Sequence, residues 1–134
     1  MKVSISQLLI YISIFFAFAN ISFPSMARDT GDPKEKKCTN STEIITSNSI
    51  TIANYNVVLT VEMRRSLKCR SRWVRAYVPL GTKLYLKDDS GKKYVEYTAQ
   101  VNGWNYSNMD DLATLVQACA KYPGNTQELC TKFK

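Results

Sequence analysis

From Glu43 onward the apolar residues recur at every second position and favour β-branched types, the pattern of half-buried strands. Ile44-Ile45-Thr46 and Ile50-Thr51-Ile52 open the series, and Val57, Leu59, Val61 and Met63 then alternate with Val58, Thr60, Glu62 and Arg64. A polar turn from Ser66 to Ser71 separates this run from Trp73 to Val78, which Pro79-Leu80-Gly81 ends. Lys83 to Lys87 and Lys92 to Ala99 flank Asp88-Asp89-Ser90-Gly91, a hairpin signal because glycine takes the left-handed turn position without a steric penalty. Asn102 to Ser107 reads as an aromatic loop and Met109 to Leu112 as a short helical turn. Thr114 to Lys121 and Glu128 to Phe133 supply the last two strands. The pattern predicts an all-β fold, a small antiparallel sandwich or barrel of roughly seven short strands.

The N-terminus follows a different pattern. Lys2 is the only charge before Arg28, Leu8 to Phe18 is an apolar run, and small residues at Ser25 and Ala27 flank Met26. This predicts a secretory signal peptide over residues 1–27, cleaved after Ala27; the alternative is an uncleaved anchor, since Ile5 to Phe23 is barely long enough to span a bilayer. Residues 28–37 combine Gly31, Pro33 and charged side chains with no apolar residue and are expected to form a flexible leader. Residues 38–134 remain as a single secreted β domain.

Removing 27 of 134 residues leaves 107, a chain whose core alone is marginal. Cys38, Cys69, Cys119 and Cys130 all fall in the exported part, and an even count outside the cytosol argues for two disulfides. Cys119 and Cys130 flank Tyr122-Pro123-Gly124-Asn125, a turn sequence that sets them facing each other across a hairpin, so Cys38 is expected to pair with Cys69. A zinc site is disfavoured, because the chain has no histidine and no closely spaced cysteine pair. Asp29 and Asp32 beside Gly31 lack the ligand alternation of a calcium loop. No metal or other cofactor is expected.

After export the chain carries 17 basic and 11 acidic residues, a formal charge of +6 that favours anionic partners. The sharpest local signal is Arg64, Arg65, Lys68, Arg70, Arg72 and Arg75, six cations in twelve residues with no acid among them. If the flanking strands pair with Met63 opposite Val74 and Val61 opposite Ala76, Glu62 meets Arg75 and Arg64 meets Trp73 on the other face. One reading is an anion site, with guanidinium forks on phosphate or carboxylate and Trp73 and Tyr77 as stacking contacts. The other is structural: a Glu62–Arg75 ion pair, Arg64 stacked on Trp73, and solvated cations that protect a strand edge. Which face of the Trp73 strand is buried stays open, because Trp73 and Tyr77 are large enough to form a core.

Without histidine a Ser-His-Asp or Cys-His arrangement is impossible. Two adjacent acidic pairs remain, Asp88-Asp89 in a predicted turn and Asp110-Asp111 at the predicted helical turn. No catalytic residue is assigned. Asn40-Ser41-Thr42 and Asn105-Tyr106-Ser107 satisfy the glycosylation sequon. Trp104, Tyr106, Tyr94 and Tyr97 are candidates for a sugar-binding surface or for ordinary packing.

Gly31-Asp32-Pro33 leading to Cys38, Val61-Glu62-Met63-Arg64 followed by Ser66, Cys69, Trp73 and Arg75, and the tail Asn108-Met109, Ala118-Cys119 and Cys130-Thr131 together resemble the YjfA-like family. These are small secreted bacterial proteins or extracellular domains of unknown function, some of them resembling the outer portions of membrane-tethered regulators. Met63, Arg65 and Val74 stand where that family usually has Leu, Tyr and Ala, and Lys37 stands where a Gly commonly precedes the first cysteine. The resemblance implies a bacterial, exported, disulfide-bonded β domain and supplies no reaction.

The sequence therefore predicts a secreted binding module whose cations engage an anionic cell-wall polymer, a membrane surface or an extracellular protein, with no specific nucleic-acid partner. Reversing Arg70 and Arg72 to Glu is expected to weaken such an association. The alternatives are a secreted effector or sensor-type interaction domain, and a carbohydrate hydrolase using Asp or Glu.

Overall fold

The computed structural model describes residues 29–40, 42–52, 57–124 and 127–134. The predicted signal peptide and its cleavage site lie outside these residues. Those described form ten strands: β1 (Asp29–Gly31), β2 (Glu43–Ile52), β3 (Val57–Ser66), β4 (Ser71–Val78), β5 (Lys83–Asp88), β6 (Lys93–Thr98), β7 (Gly103–Tyr106), β8 (Met109–Asp111), β9 (Val116–Lys121) and β10 (Glu128–Cys130). All pairings are antiparallel. Sheet A runs β1-β8-β4-β3-β2, with β7 also paired to β4, and sheet B runs β10-β9-β5-β6. The fold is thus an all-β sandwich of two sheets, not a closed barrel.

The core follows from strand alternation. Leu59, Val61 and Met63 of β3 and Val74, Ala76 and Val78 of β4 meet Leu84 and Leu86 of β5 and Val116, Ala118 and Ala120 of β9 between the sheets. The small residues of β9 let the sheets approach where the leucines of β5 fill the space. β6 breaks the alternation with a bulge: Tyr94 pairs with Leu86 and Tyr97 with Leu84, and Val95 takes a left-handed φ of 50°. Both tyrosines consequently pack on the core, three residues apart.

Four expectations require correction. Met109–Asp111 is a strand paired to β1 and β4, not a helical turn. Gly103–Tyr106 is a strand on β4 rather than a loop. The two isoleucine runs of Glu43–Ile52 form one strand of 10 residues. The expected leader is partly sheet, since Asp29–Gly31 pairs with β8 and Thr30 Oγ1 lies 3.1 Å from Ser71 Oγ.

Both disulfides form, Cys38–Cys69 and Cys119–Cys130, with the second pair directly opposite in the β9–β10 ladder. They are consistent with maturation in an oxidising compartment. Cys38 is the end of a tight turn in which its N–H donates to Pro33 O at 2.8 Å and Lys37 N–H to Lys34 O at 3.1 Å. Lys37 closes that turn with φ 57°, the region glycine favours. Lys37→Gly relieves left-handed strain but loosens the unfolded chain, so a net stabilisation of about 0.5–1 kcal/mol is expected in urea unfolding. A loss of stability would show that the lysine side chain holds the turn.

Candidate binding face

The outward face of sheet A carries the exposed aromatic residues. The β3–β4 register is the one read from the sequence: Val61 opposite Ala76, Glu62 opposite Arg75, Met63 opposite Val74 and Arg64 opposite Trp73. Because the Val74–Ala76–Val78 side is inward, Arg75 and Tyr77 point away from the core, and β7 continues this face by setting Trp104 opposite Tyr77 and Tyr106 opposite Arg75. Asn105, between Trp104 and Tyr106 in sequence, is buried on the opposite, inward side across from Ala76 and fixes β7. Its side-chain amide donates to Val101 O and Gly103 O at 2.9 and 3.1 Å, and its carbonyl accepts from Gln100 N–H. The second sequon therefore places its asparagine in the interior, whereas Asn40 of the first is exposed.

On this face Tyr77, Trp104 and Tyr106 are 50%, 43% and 37% exposed, too open for core residues and too close together for scattered surface apolar groups. Tyr77 and Trp104 meet edge to face with centroids 5.5 Å apart. The Arg75 guanidinium lies 3.8 Å from the Trp104 ring centre and 3.3 Å from Glu62 Oε2. Arg64 approaches the same Glu62 oxygen at 3.6 Å and donates to Thr42 Oγ1. Two guanidinium groups thus share one carboxylate, which leaves one unbalanced cation in this cluster beside Tyr77 and Trp104, while the Asp32 and Glu35 carboxylates act on Tyr106. Burial, with the Asp32 carboxylate nearby, raises the Tyr106 phenol, so its hydroxyl stays a hydrogen-bond donor through neutral pH. Thr60, across from Tyr77, lies 3.0 Å from Ser49 Oγ and adds hydroxyls at the margin.

The six clustered cations do not form one patch. Arg64 and Arg75 belong to the outward face. Arg65 lies opposite Arg72 on the inward side and binds Glu43 across the β2–β3 ladder. Arg72 is buried against Asp110 at 3.4 Å and donates to Lys134 O and Thr114 O. Lys68 and Arg70 are exposed in the β3–β4 turn, where Arg70 takes a φ of 48°. Trp73 is 3% exposed beneath Cys38 and Met109, so it is packing rather than contact surface. Tyr94 and Tyr97 pack on the core, and of the aromatic candidates Tyr77, Trp104 and Tyr106 come together.

The adjacent acids serve the fold. Asp88 accepts from Ser90 N–H, Ser90 Oγ, Lys92 N–H and Tyr94 OH, which holds its carboxyl down at about 2. Asp110 is fully buried opposite Arg72, and Asp111 accepts from Ala113 N–H at 3.0 Å. No protein-family model, curated protein or solved structure matches this chain.

Proposed function

We propose that the chain is an exported binding module for an acidic glycan of a cell surface, engaged across the outward face of sheet A. The observation that carries this reading is the row of half-exposed Tyr77, Trp104 and Tyr106 with the Arg75 guanidinium against Trp104. Aromatic faces stack on the apolar faces of sugar rings, and a guanidinium fork binds carboxylate, sulfate or phosphate bidentately. An open sheet face suits an extended polymer, since small molecules are held in concave sites. The formal charge of +6 on residues 28–134 adds long-range attraction, and the YjfA-like resemblance supports an extracellular, bacterial setting.

Electrophoresis of the folded protein through gels containing polygalacturonate or neutral dextran tests the reading. Retardation is expected with polygalacturonate and is expected to weaken with salt. Trp104→Ala should weaken it about tenfold, and Arg75→Gln by a similar factor with a shallower salt dependence. Equal mobility in both gels, or retardation that both variants retain, would reject it.

A further inference from the structure

The outward face of sheet B carries a second arrangement that the sequence pattern did not single out. Lys83 of β5 and Lys121 of β9 are directly opposite in register, and like charges so placed weaken a strand pair. Glu128 of β10 is the register partner of Lys121 on its other side, and pairing with it would relieve the repulsion. Its carboxylate goes elsewhere: Lys87 Nζ lies 2.5 Å from Glu128 Oε2, a bond that keeps the carboxyl below its usual range. Lys93 folds toward the same place, its Nζ 4.5 Å from the ring centre of Tyr85. Among the described residues, none of the ion pairs involves Lys83, Lys93 or Lys121.

These three lysines line one groove of about 570 Å³ together with Tyr85, Tyr122 and Glu96. The buried Tyr85 ring forms its floor, and the β9–β10 turn at Pro123 forms a wall against Gly81, whose φ is +87°. The bulge at Val95 contributes as well, because it leaves Lys93 and Glu96 on the groove while Tyr94 and Tyr97 face the core. With Lys87 and its partner Glu128 included, since Glu128 also acts on Lys93 and on the Tyr85 hydroxyl, four ammonium groups and two carboxylates leave two net positive charges around a concavity large enough for a small molecule.

We infer that this groove is a second binding site, for a compact, multiply charged oxyanion of the phosphate class, with Lys83, Lys93 and Lys121 as its charge contacts and Tyr122 beside the group that carries it. An oxyanion between Lys83 and Lys121 supplies the counter-charge that Glu128 gives to Lys87 instead. This site is on the opposite sheet from the aromatic face and stands whether or not that face binds a glycan.

Titration with inorganic pyrophosphate, followed by proton–carbon NMR of the lysine side chains, tests it. Saturable shifts are expected at Lys83, Lys93 and Lys121, with Lys83→Gln and Lys121→Gln each raising Kd about fivefold and the double variant more than tenfold. Removing one member of a like-charge pair should not lower the melting temperature, so unchanged thermal unfolding separates lost binding from lost folding. Arg75→Gln should leave the titration unaltered, which keeps failure here distinct from failure of the glycan reading. A parallel titration with glucose 1-phosphate and inorganic phosphate distinguishes the carrier. Tighter binding of the phosphosugar, abolished by Tyr122→Ala, assigns a sugar-borne phosphate, and equal binding assigns the free ion. Absence of saturation up to about 10 mM pyrophosphate, or a Kd that the lysine variants do not change, would overturn the inference.

Discussion

Arg72→Ala is expected to destabilise the domain by about 3–5 kcal/mol, a large share of the stability a chain of this size commands. The Arg72 side chain is 4% exposed and that of Asp110 is not exposed at all. The two residues face each other in the β4–β8 register, with 3.4 Å between nitrogen and oxygen. The same guanidinium donates to Lys134 O at 3.1 Å and to Thr114 O, so one side chain ties β4 to β8, to the segment before β9 and to the chain beyond β10. Truncation removes the cation facing a buried carboxylate and strips donors from two carbonyls, which is the costly direction of change for an interior ion pair. Replacing both partners by apolar residues of similar volume, Arg72→Met with Asp110→Leu, should recover most of the loss, because the desolvation cost disappears with the charges. Urea unfolding of the two single variants and the double variant closes the cycle. Arg70→Ala, at an exposed turn position, should stay within about 0.5 kcal/mol of the parent. A loss below about 1 kcal/mol for Arg72→Ala would mean that water reaches the pair. Charge reversal at Arg70 and Arg72 together would therefore report folding before it reported binding.

Strand alternation made the central hairpin legible residue by residue: the Glu62–Arg75 and Arg64–Trp73 oppositions follow from the period of two and the length of the intervening turn. Its buried face was not legible, because β4 carries apolar side chains on both sides. Val74, Ala76 and Val78 meet sheet B, while Trp73 on the other side is covered by a segment that Cys38–Cys69 brings from 31 positions away. No local pattern announces such a third layer. The short strands failed for a related reason. Met109–Asp111 has too few residues to show a period, and Asp29–Gly31 has no apolar side chain; their order comes from backbone pairing and from Asn108 donating to Asp29 at 3.1 Å. The run of six cations was conspicuous in sequence, but alternation sends neighbours to opposite faces and its members to an ion pair, a buried bridge, a turn and an aromatic stack. Lys83, Lys93 and Lys121 lie far apart in sequence, and only the β9-β5-β6 order gathers them.

Loss of the Cys38–Cys69 bridge should cost more than loss of Cys119–Cys130 by a wider margin than loop entropy alone provides, which is about 3–4 kcal/mol for the first and about 3 kcal/mol for the second. The sequence separations are 31 and 11, so the chain-entropy difference between the two is less than about 1 kcal/mol. Packing supplies the rest. Cys119 and Cys130 join residues already adjacent in the β9–β10 ladder, where hydrogen bonds hold the strands once the sulfurs part. Cys38 instead pins a turn over Trp73 and Met109, and its release lets water reach an indole that is now 3% exposed. Replacing each pair with serine and comparing urea midpoints gives the ranking, and tryptophan fluorescence gives the cause. The Cys38/Cys69 variant should show a red-shifted native emission from Trp73, absent in the Cys119/Cys130 variant, with the shift retained when Trp104 is changed to phenylalanine. Equal midpoints and unchanged emission would mean that β1, through its pairing with β8, holds the cover in place without the bond.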